Sequence, residues 1–402
     1  MSRRETVNFL DKWTENENKS PMSDSLLRWM PMVYGLSFFA LGSSSPYLAL
    51  ELQERGVTEL SLLLAFPAIC NVLLGPIWGI VADATKAWGL LFRLCAILTA
   101  LSMMAVALAD AVWLFWAVLI WSVSRTPLWP LSDALALEAV QGDVSRYGRL
   151  RLWGSIGFMA GVIVASAYRA YFGGAALILA SGIWLCFFGL TLFLPSPKQM
   201  PPQNLKKALK VLLSDPVLAL ILLVSALHFG AHFAASTFLS THIQDLGYSD
   251  NWTGAAIGLG VFIEIGVMAQ GTWFLKRFTA AQCFTMATAI AVSRWFLMTQ
   301  VSAPLAIVCT RGLHGFSFGL FWISVVALVS KRSPAEAPAS GQALLGAAVG
   351  GVGAGVGVYW GAWIVEGWGT YALYQWALSI ACIALILAGG LLWWLSRPTK
   401  NG

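Results

Sequence analysis

The sequence predicts an all-α membrane protein, with 12 transmembrane helices in two pseudo-symmetric six-helix bundles, and three observations carry that expectation. First, 58% of the 402 residues are hydrophobic and only 11% are charged, with a mean hydropathy of +0.72. Soluble domains carry about a quarter charged residues, and a water-soluble core of this composition would leave wide apolar surface exposed. Second, the chain divides into apolar runs of the length that a bilayer crossing takes, about 20 residues. Third, its basic residues recur at every second boundary between those runs.

Taken in order, the apolar segments fall at about 29 to 51, 59 to 82, 88 to 109, 111 to 137, 152 to 172 and 174 to 195, each bounded by charge or Gly/Pro punctuation. A second six fall at about 216 to 241, 251 to 274, 280 to 300, 303 to 329, 339 to 365 and 371 to 396. Between the sets, residues 196–215 carry Lys198, Lys206, Lys207 and Lys210 beside several prolines and read as a cytoplasmic linker. The divisions are then a tail (1–28), an N-terminal bundle (29–195), the linker (196–215), a C-terminal bundle (216–396) and a second tail (397–402). Little length remains for a soluble domain.

Lys and Arg collect in cytoplasmic loops. With the N-terminus inside, 20 of the 25 basic residues fall in cytoplasmic segments; Arg55 and Arg169 fall on the other side, and Arg125, Arg294 and Arg311 fall within helices. Both termini are therefore expected in the cytoplasm, and the net charge of +6 reflects topology rather than nucleic-acid binding. The six cysteines lie within apolar runs without metal or disulfide spacing. No cleavable signal precedes the first segment, which is expected to act as its own insertion signal.

The halves echo one another. Leu48, Leu52, Gln53, Glu54, Gly56 and Glu59 match Leu239, Ile243, Gln244, Asp245, Gly247 and Asp250 at a constant offset, and Ser124-Arg125 matches Thr310-Arg311. Duplicated bundles with a site at their interface are a transporter architecture.

Gly79-Ile80-Val81-Ala82-Asp83, after the second segment, looks like the major facilitator loop signature, with Asp83 as a gating carboxylate. More specific are Pro130-Leu131-Ser132-Asp133-Ala134 and Tyr147-Gly148-Arg149-Leu150-Arg151-Leu152-Trp153-Gly154, with Glu264, Arg294-Trp295, Leu313-His314-Gly315-Phe316 and Gly341-Gln342-Ala343-Leu344. Together these resemble the major facilitator branch that contains lactose permease, the nucleoside:proton symporters and the phenylpropionate permeases, from the first segment to the last. The resemblance implies the major facilitator fold and a secondary active transporter, not an enzyme. It implies proton-coupled import of a small organic solute (an aromatic acid, nucleoside, sugar or siderophore) across the cytoplasmic inner membrane. Export by the same fold is the competing reading. A membrane-embedded enzyme would instead need clustered catalytic groups, and the intramembrane charges here are scattered one or two per segment. A small-molecule substrate and the bilayer are the expected partners, with a monomeric chain, no cofactor and no metal; the proton is the expected coupling ion.

A charge at bilayer depth costs about 2.5–3.5 kcal/mol on insertion scales, so each one is a functional candidate. Glu264, a lone carboxylate in the eighth segment, is the first. By resemblance, Glu264, Arg294 and His314 occupy the proton-binding, charge-partner and relay positions of lactose permease, whose further carboxylate three residues after the His falls here on Ser317. The competing role for Glu264 is a fixed ion pair with Arg294 or Arg311. Arg125 and Arg311 sit at matching places in the two halves and either clamp an anion or pair with nearby acids. Asp133 lies within expected reach of Arg149 or Arg151 as a gating latch. His228 and His232, four apart, line the pathway or pack in the core; no Cys or carboxylate completes a metal site with them. Tyr34, Tyr47, Trp129 and Trp322 complete the expected substrate-binding set, with Trp153 as a further pathway candidate, while Trp113, Trp368, Trp393 and Trp394 suit interfacial belts.

Overall fold

The computed structural model of the chain describes residues 21–57, 59–85, 87–140, 144–173, 175–194, 215–332 and 338–397. Residues 1–20 of the expected tail and 196–214 of the expected linker lie outside them. Every regular element among the described residues is helical. We number them as α1 (Pro21–Ser44, continued by Leu48–Glu54), α2 (Leu60–Thr85), α3 (Trp88–Leu108), α4 (Ala111–Arg125 and Leu128–Ala139), α5 (Val144–Phe172) and α6 (Ala176–Thr191). The second half holds α7 (Pro216–Thr237 and Leu239–Asp245), α8 (Asn251–Ala269 and Gly271–Arg277) and α9 (Ala280–Met298). It continues with α10 (Pro304–His314, a π-helical stretch Gly315–Leu320, and Phe321–Arg332). Then α11 runs from Pro338–Gly346 through a π-helical stretch Ala347–Gly353 to a break at Gly369, and α12 follows to Ser396. Among the described residues, six helical segments are long and apolar enough to cross a membrane, and the last, Leu344–Ser396, contains both α11 and α12.

Several boundaries differ from the sequence expectation for local reasons. The first helix begins at Pro21 rather than near 29, because Leu26 is a core residue. The fourth breaks after Arg125, where Pro127 lacks the N–H that would continue the helical hydrogen bonds. A third difference is the π-helical stretch directly after His314, a local widening that recurs at functional positions. Helix starts follow capping chemistry: Asp215 accepts from the backbone N–H groups of Val217 (2.9 Å) and Leu218 (3.2 Å) ahead of Pro216, and Thr279 forms a capping box with Gln282.

The sequence repeat is a structural one. Gly56 (φ 75°) and Gly247 (φ 80°) both end their helices in the left-handed region. Gly56 N–H donates to Gln53 O and Gly247 N–H to Gln244 O, each at 2.8 Å; Val57 donates to Leu52 O and Tyr248 to Ile243 O, each at 3.1 Å. Packing repeats as well: α1 lies on α5 as α7 lies on α11, and α3 on α6 as α9 on α12. Glycine permits the closest of these contacts, since a Cβ on Gly157 would strike the carbonyl of Gly35 and one on Gly357 would strike the backbone of Gly230. Contact between the halves runs chiefly through α5 against α8 and α2 against α11, two pairs that exchange under the repeat.

Large apolar side chains point outward, among them Phe172 (79% exposed), Phe262 (66%) and Ile386 (73%), as suits a lipid-facing surface. Trp113, Trp368, Trp393 and Trp394 are exposed near helix ends. Trp153 of α5 is 47% exposed, one helical turn before Gly157, which packs on Gly35 of α1.

Candidate functional site

Three helices of the second half bring Glu264 (α8), Arg294 (α9) and His314 (α10) together, all buried. Arg294 Nη1 donates to His314 Nδ1 at 2.9 Å, and His314 Nε2 lies 3.3 Å from Glu264 Oε2. Because guanidinium only donates, Nδ1 of His314 is the acceptor and its proton sits on Nε2, facing the carboxylate. Glu264 pairs with neither Arg294 nor Arg311; the imidazole stands between the acid and Arg294. The same guanidinium donates to Ser317 Oγ (3.0 Å) and to His232 Nδ1 (3.2 Å), and lies 3.7 Å from the ring centroid of Trp295. The hydroxyl at Ser317 thus takes up part of the arginine where the resembled permease has a second acid. His232 stacks on His314 at 4.9 Å, and His228 donates from Nε2 to the Ser317 carbonyl at 3.1 Å while stacking on Phe321 at 4.0 Å. Trp322 joins this cluster through Phe229 and Phe318.

In the first half, Tyr34 of α1 donates to Asp133 Oδ1 of α4 at 2.6 Å. Arg151 of α5 covers Phe38 at 4.1 Å and Tyr34 at 5.6 Å. Tyr34, Asp133 and Arg151 are thereby grouped in the first half. The side chains of Asp83 and Arg149 lie outside the described residues.

Among the described residues no carboxylate lies within ion-pair distance of Arg125 or Arg311. Arg125 lies between Trp121 and Trp129, at 4.6 and 4.8 Å from their ring centroids. Arg311, 2% exposed, acts electrostatically on Tyr374. In both, Nε is sealed and without a partner.

A second polar group, which the sequence reading missed, closes the end of the molecule opposite the termini. Arg169 of α5 binds Glu51 (3.0 Å) and Glu54 (2.6 Å) at the end of α1 and Asp250 (3.1 Å) at the start of α8. Glu51 also accepts from the backbone N–H groups of Ala176 and Leu177. Around it, Ser240 donates to the Pro46 carbonyl, Thr241 to Gln53 (2.9 Å), and Leu60 N–H to Glu366 (2.8 Å), each bond joining the two halves. Tyr47 belongs to this end, hydrogen-bonded to Ser166 at 2.5 Å. The available signal was the charge pattern, because Arg55 and Arg169 are the two basic residues that break the loop rule. Arg55 caps the last carbonyls of α3, at 2.8 Å from Val106 O and 3.1 Å from Ala107 O.

A helical bundle with inward-facing charges near the contact between repeated halves is the build of a membrane transporter. The chain belongs to the MFS_1-like family of the major facilitator superfamily, whose model matches residues 27–376. It is 29% identical over 365 residues to a maltose permease of Geobacillus stearothermophilus, covering 89% of this chain and 92% of that one. It is 26% identical over 324 residues to a probable 3-phenylpropionic acid transporter of Escherichia coli, covering 77% and 83%. Its fold matches a mutant of the nucleoside transporter NupG with a TM-score of 0.79 at 18% identity, covering 91% of this chain and 99% of that one. The protein is a multi-pass membrane transporter for a small molecule, and not an enzyme.

Proposed function

We propose that the chain imports a small organic solute together with protons, by alternating access of two six-helix halves (29–195 and 216–396) that together cross the cytoplasmic membrane 12 times. The observation that carries the coupling is the chain Glu264–His314–Arg294, with contacts of 3.3 and 2.9 Å. The helix that carries Glu264, α8, packs on α5 of the other half, which carries Arg151, so a change in how the halves meet changes what surrounds the acid. His314, fixed as a donor by Arg294, orients the carboxylate and stabilises its charged form. Tyr34, Asp133 and Arg151 form the facing half of this unit and, with Asp83 and Arg149, its gating residues. The proton is the coupling ion; no cofactor enters the scheme, and one chain suffices.

The distribution of basic residues supports a cytoplasmic location for both termini. The end joined by Arg169 and Asp250 is then the outer one, and the conformation described is closed outward. Breaking that contact and forming others at the inner end is the expected counter-movement.

The test is solute accumulation in proteoliposomes under an imposed inward proton gradient, across aromatic acids, nucleosides, sugars and siderophores. One class accumulating above equilibrium, with the excess lost on adding a protonophore, supports the proposal. Equilibration unaffected by the gradient would make the protein a facilitator.

A further inference from the structure

We infer that Arg125 and Arg311 are the anion-recognition pair of this transporter, and that its solute carries a carboxylate. The inference rests on the reading of the chain as a solute transporter and narrows its substrate class. Charges held within the membrane region are costly unless satisfied, and a guanidinium left there without an acid needs another source of negative charge. Glu264 is engaged by His314, and Asp133 accepts from Tyr34. Arg169 is held by its own acids at the far end. Arg294 spends both Nη groups on His314, Ser317 and His232.

Arg125 and Arg311 differ from all of these. Only the Nε of each is both sealed and partnerless, and no hydrogen bond is made by any Nη. Among the described residues their Nη groups have no hydrogen-bond acceptor. The Nη fork of a guanidinium is the geometry that binds a carboxylate in bidentate fashion, which an ammonium cannot copy. The surroundings hold each charge without consuming it. Two indole faces, Trp121 and Trp129, flank Arg125 in place of an acid, and Trp121, Arg125 and Trp129 follow one another at four-residue spacing across the break in α4. The indole N–H groups of both tryptophans are buried donors without acceptors, so this stretch is rich in donors and lacks a protein anion. Arg311 has neutral Tyr374 as its neighbour, and the Tyr374 hydroxyl is likewise unpartnered. The two arginines occupy equivalent places in the repeat, Ser124-Arg125 and Thr310-Arg311. Each half thus contributes one such unpaired arginine at the same place in the repeat.

The test compares carboxylates with their uncharged amides on the full-length protein: benzoate, phenylacetate and succinate against benzamide, phenylacetamide and succinamide, with maltose and adenosine as neutral solutes. Thermal stabilisation of purified protein and inhibition of counterflow are the two readouts. At least one carboxylate is expected to stabilise the protein and to compete, with its amide roughly tenfold to a hundredfold weaker, the span of one or two charge-assisted hydrogen bonds. Arg125→Gln and Arg311→Gln should each abolish that preference, while Arg125→Lys, which keeps the charge and loses the fork, should retain only part of it. Amides binding as well as acids, or a neutral solute transported equally by wild type and Arg125→Gln, would overturn the inference. Proton-driven uptake of a neutral solute that is insensitive to both arginine variants would overturn the anion pair and leave proton coupling standing. Carboxylate binding without proton movement would do the reverse.

Discussion

Arg169 and Asp250 meet at 3.1 Å across the contact between the two halves, and the same guanidinium holds Glu51 and Glu54 of its own half. Removing the arginine leaves a buried Glu51 without its cation, and breaking a buried pair from one side costs about 3–5 kcal/mol. Arg169→Ala should therefore destabilise the state closed at this end. A cysteine placed at Ser240, fully buried at that contact, should react several-fold faster with an impermeant maleimide in the variant. Unchanged labelling would remove Arg169 from the closure.

His314 separates Glu264 from Arg294, so its removal should uncouple rather than unfold. His314→Gln, which has donors but no ring bridging both partners, should lower solute accumulation at least tenfold while exchange across the membrane continues. Loss of exchange and accumulation together, with a normal melting profile, would instead make His314 a binding residue.

The glycine contacts between helices give a stability prediction with an internal control. Gly157→Ala places a methyl against the Gly35 carbonyl and Gly357→Ala one against Gly230, and overpacking of this kind costs about 1–3 kcal/mol. Gly182→Ala and Gly389→Ala, with nothing within 4 Å of the added atom, should melt within a degree or two of wild type.

Gly56 and Gly247 stand at φ 75° and 80° in matching turns. An alanine there takes a left-handed conformation at a cost of about 1–2 kcal/mol. The two variants should lose similar amounts of stability, measured by thermal melting, because the turns share their hydrogen bonds.

The fold was legible because a bilayer imposes one period and one length on the chain, and because the repeat left matching residues such as Gln53 and Gln244. Glu264 was legible as a lone acid in an apolar run, and its grouping with Arg294 and His314 came from the resemblance to lactose permease. Its internal order was not, because which groups touch depends on rotamers and on the π-helical widening after His314. Tyr34 and Tyr47 look equivalent in sequence, yet one serves Asp133 and the other Ser166 near the closed end. Arg169 was visible as an exception to the loop rule, but its three partners come from segments far apart in the chain. Whether Arg125 and Arg311 have acidic neighbours is likewise a tertiary fact that no spacing reveals.

The central claim, that Glu264 carries the coupled proton, is tested most directly by recording external pH while solute enters proteoliposomes, for wild type and Glu264→Gln. The account predicts alkalinisation that follows solute entry in the wild type and is absent in the variant, with counterflow retained in both. Proton uptake surviving in Glu264→Gln, or counterflow lost with it, would contradict the account.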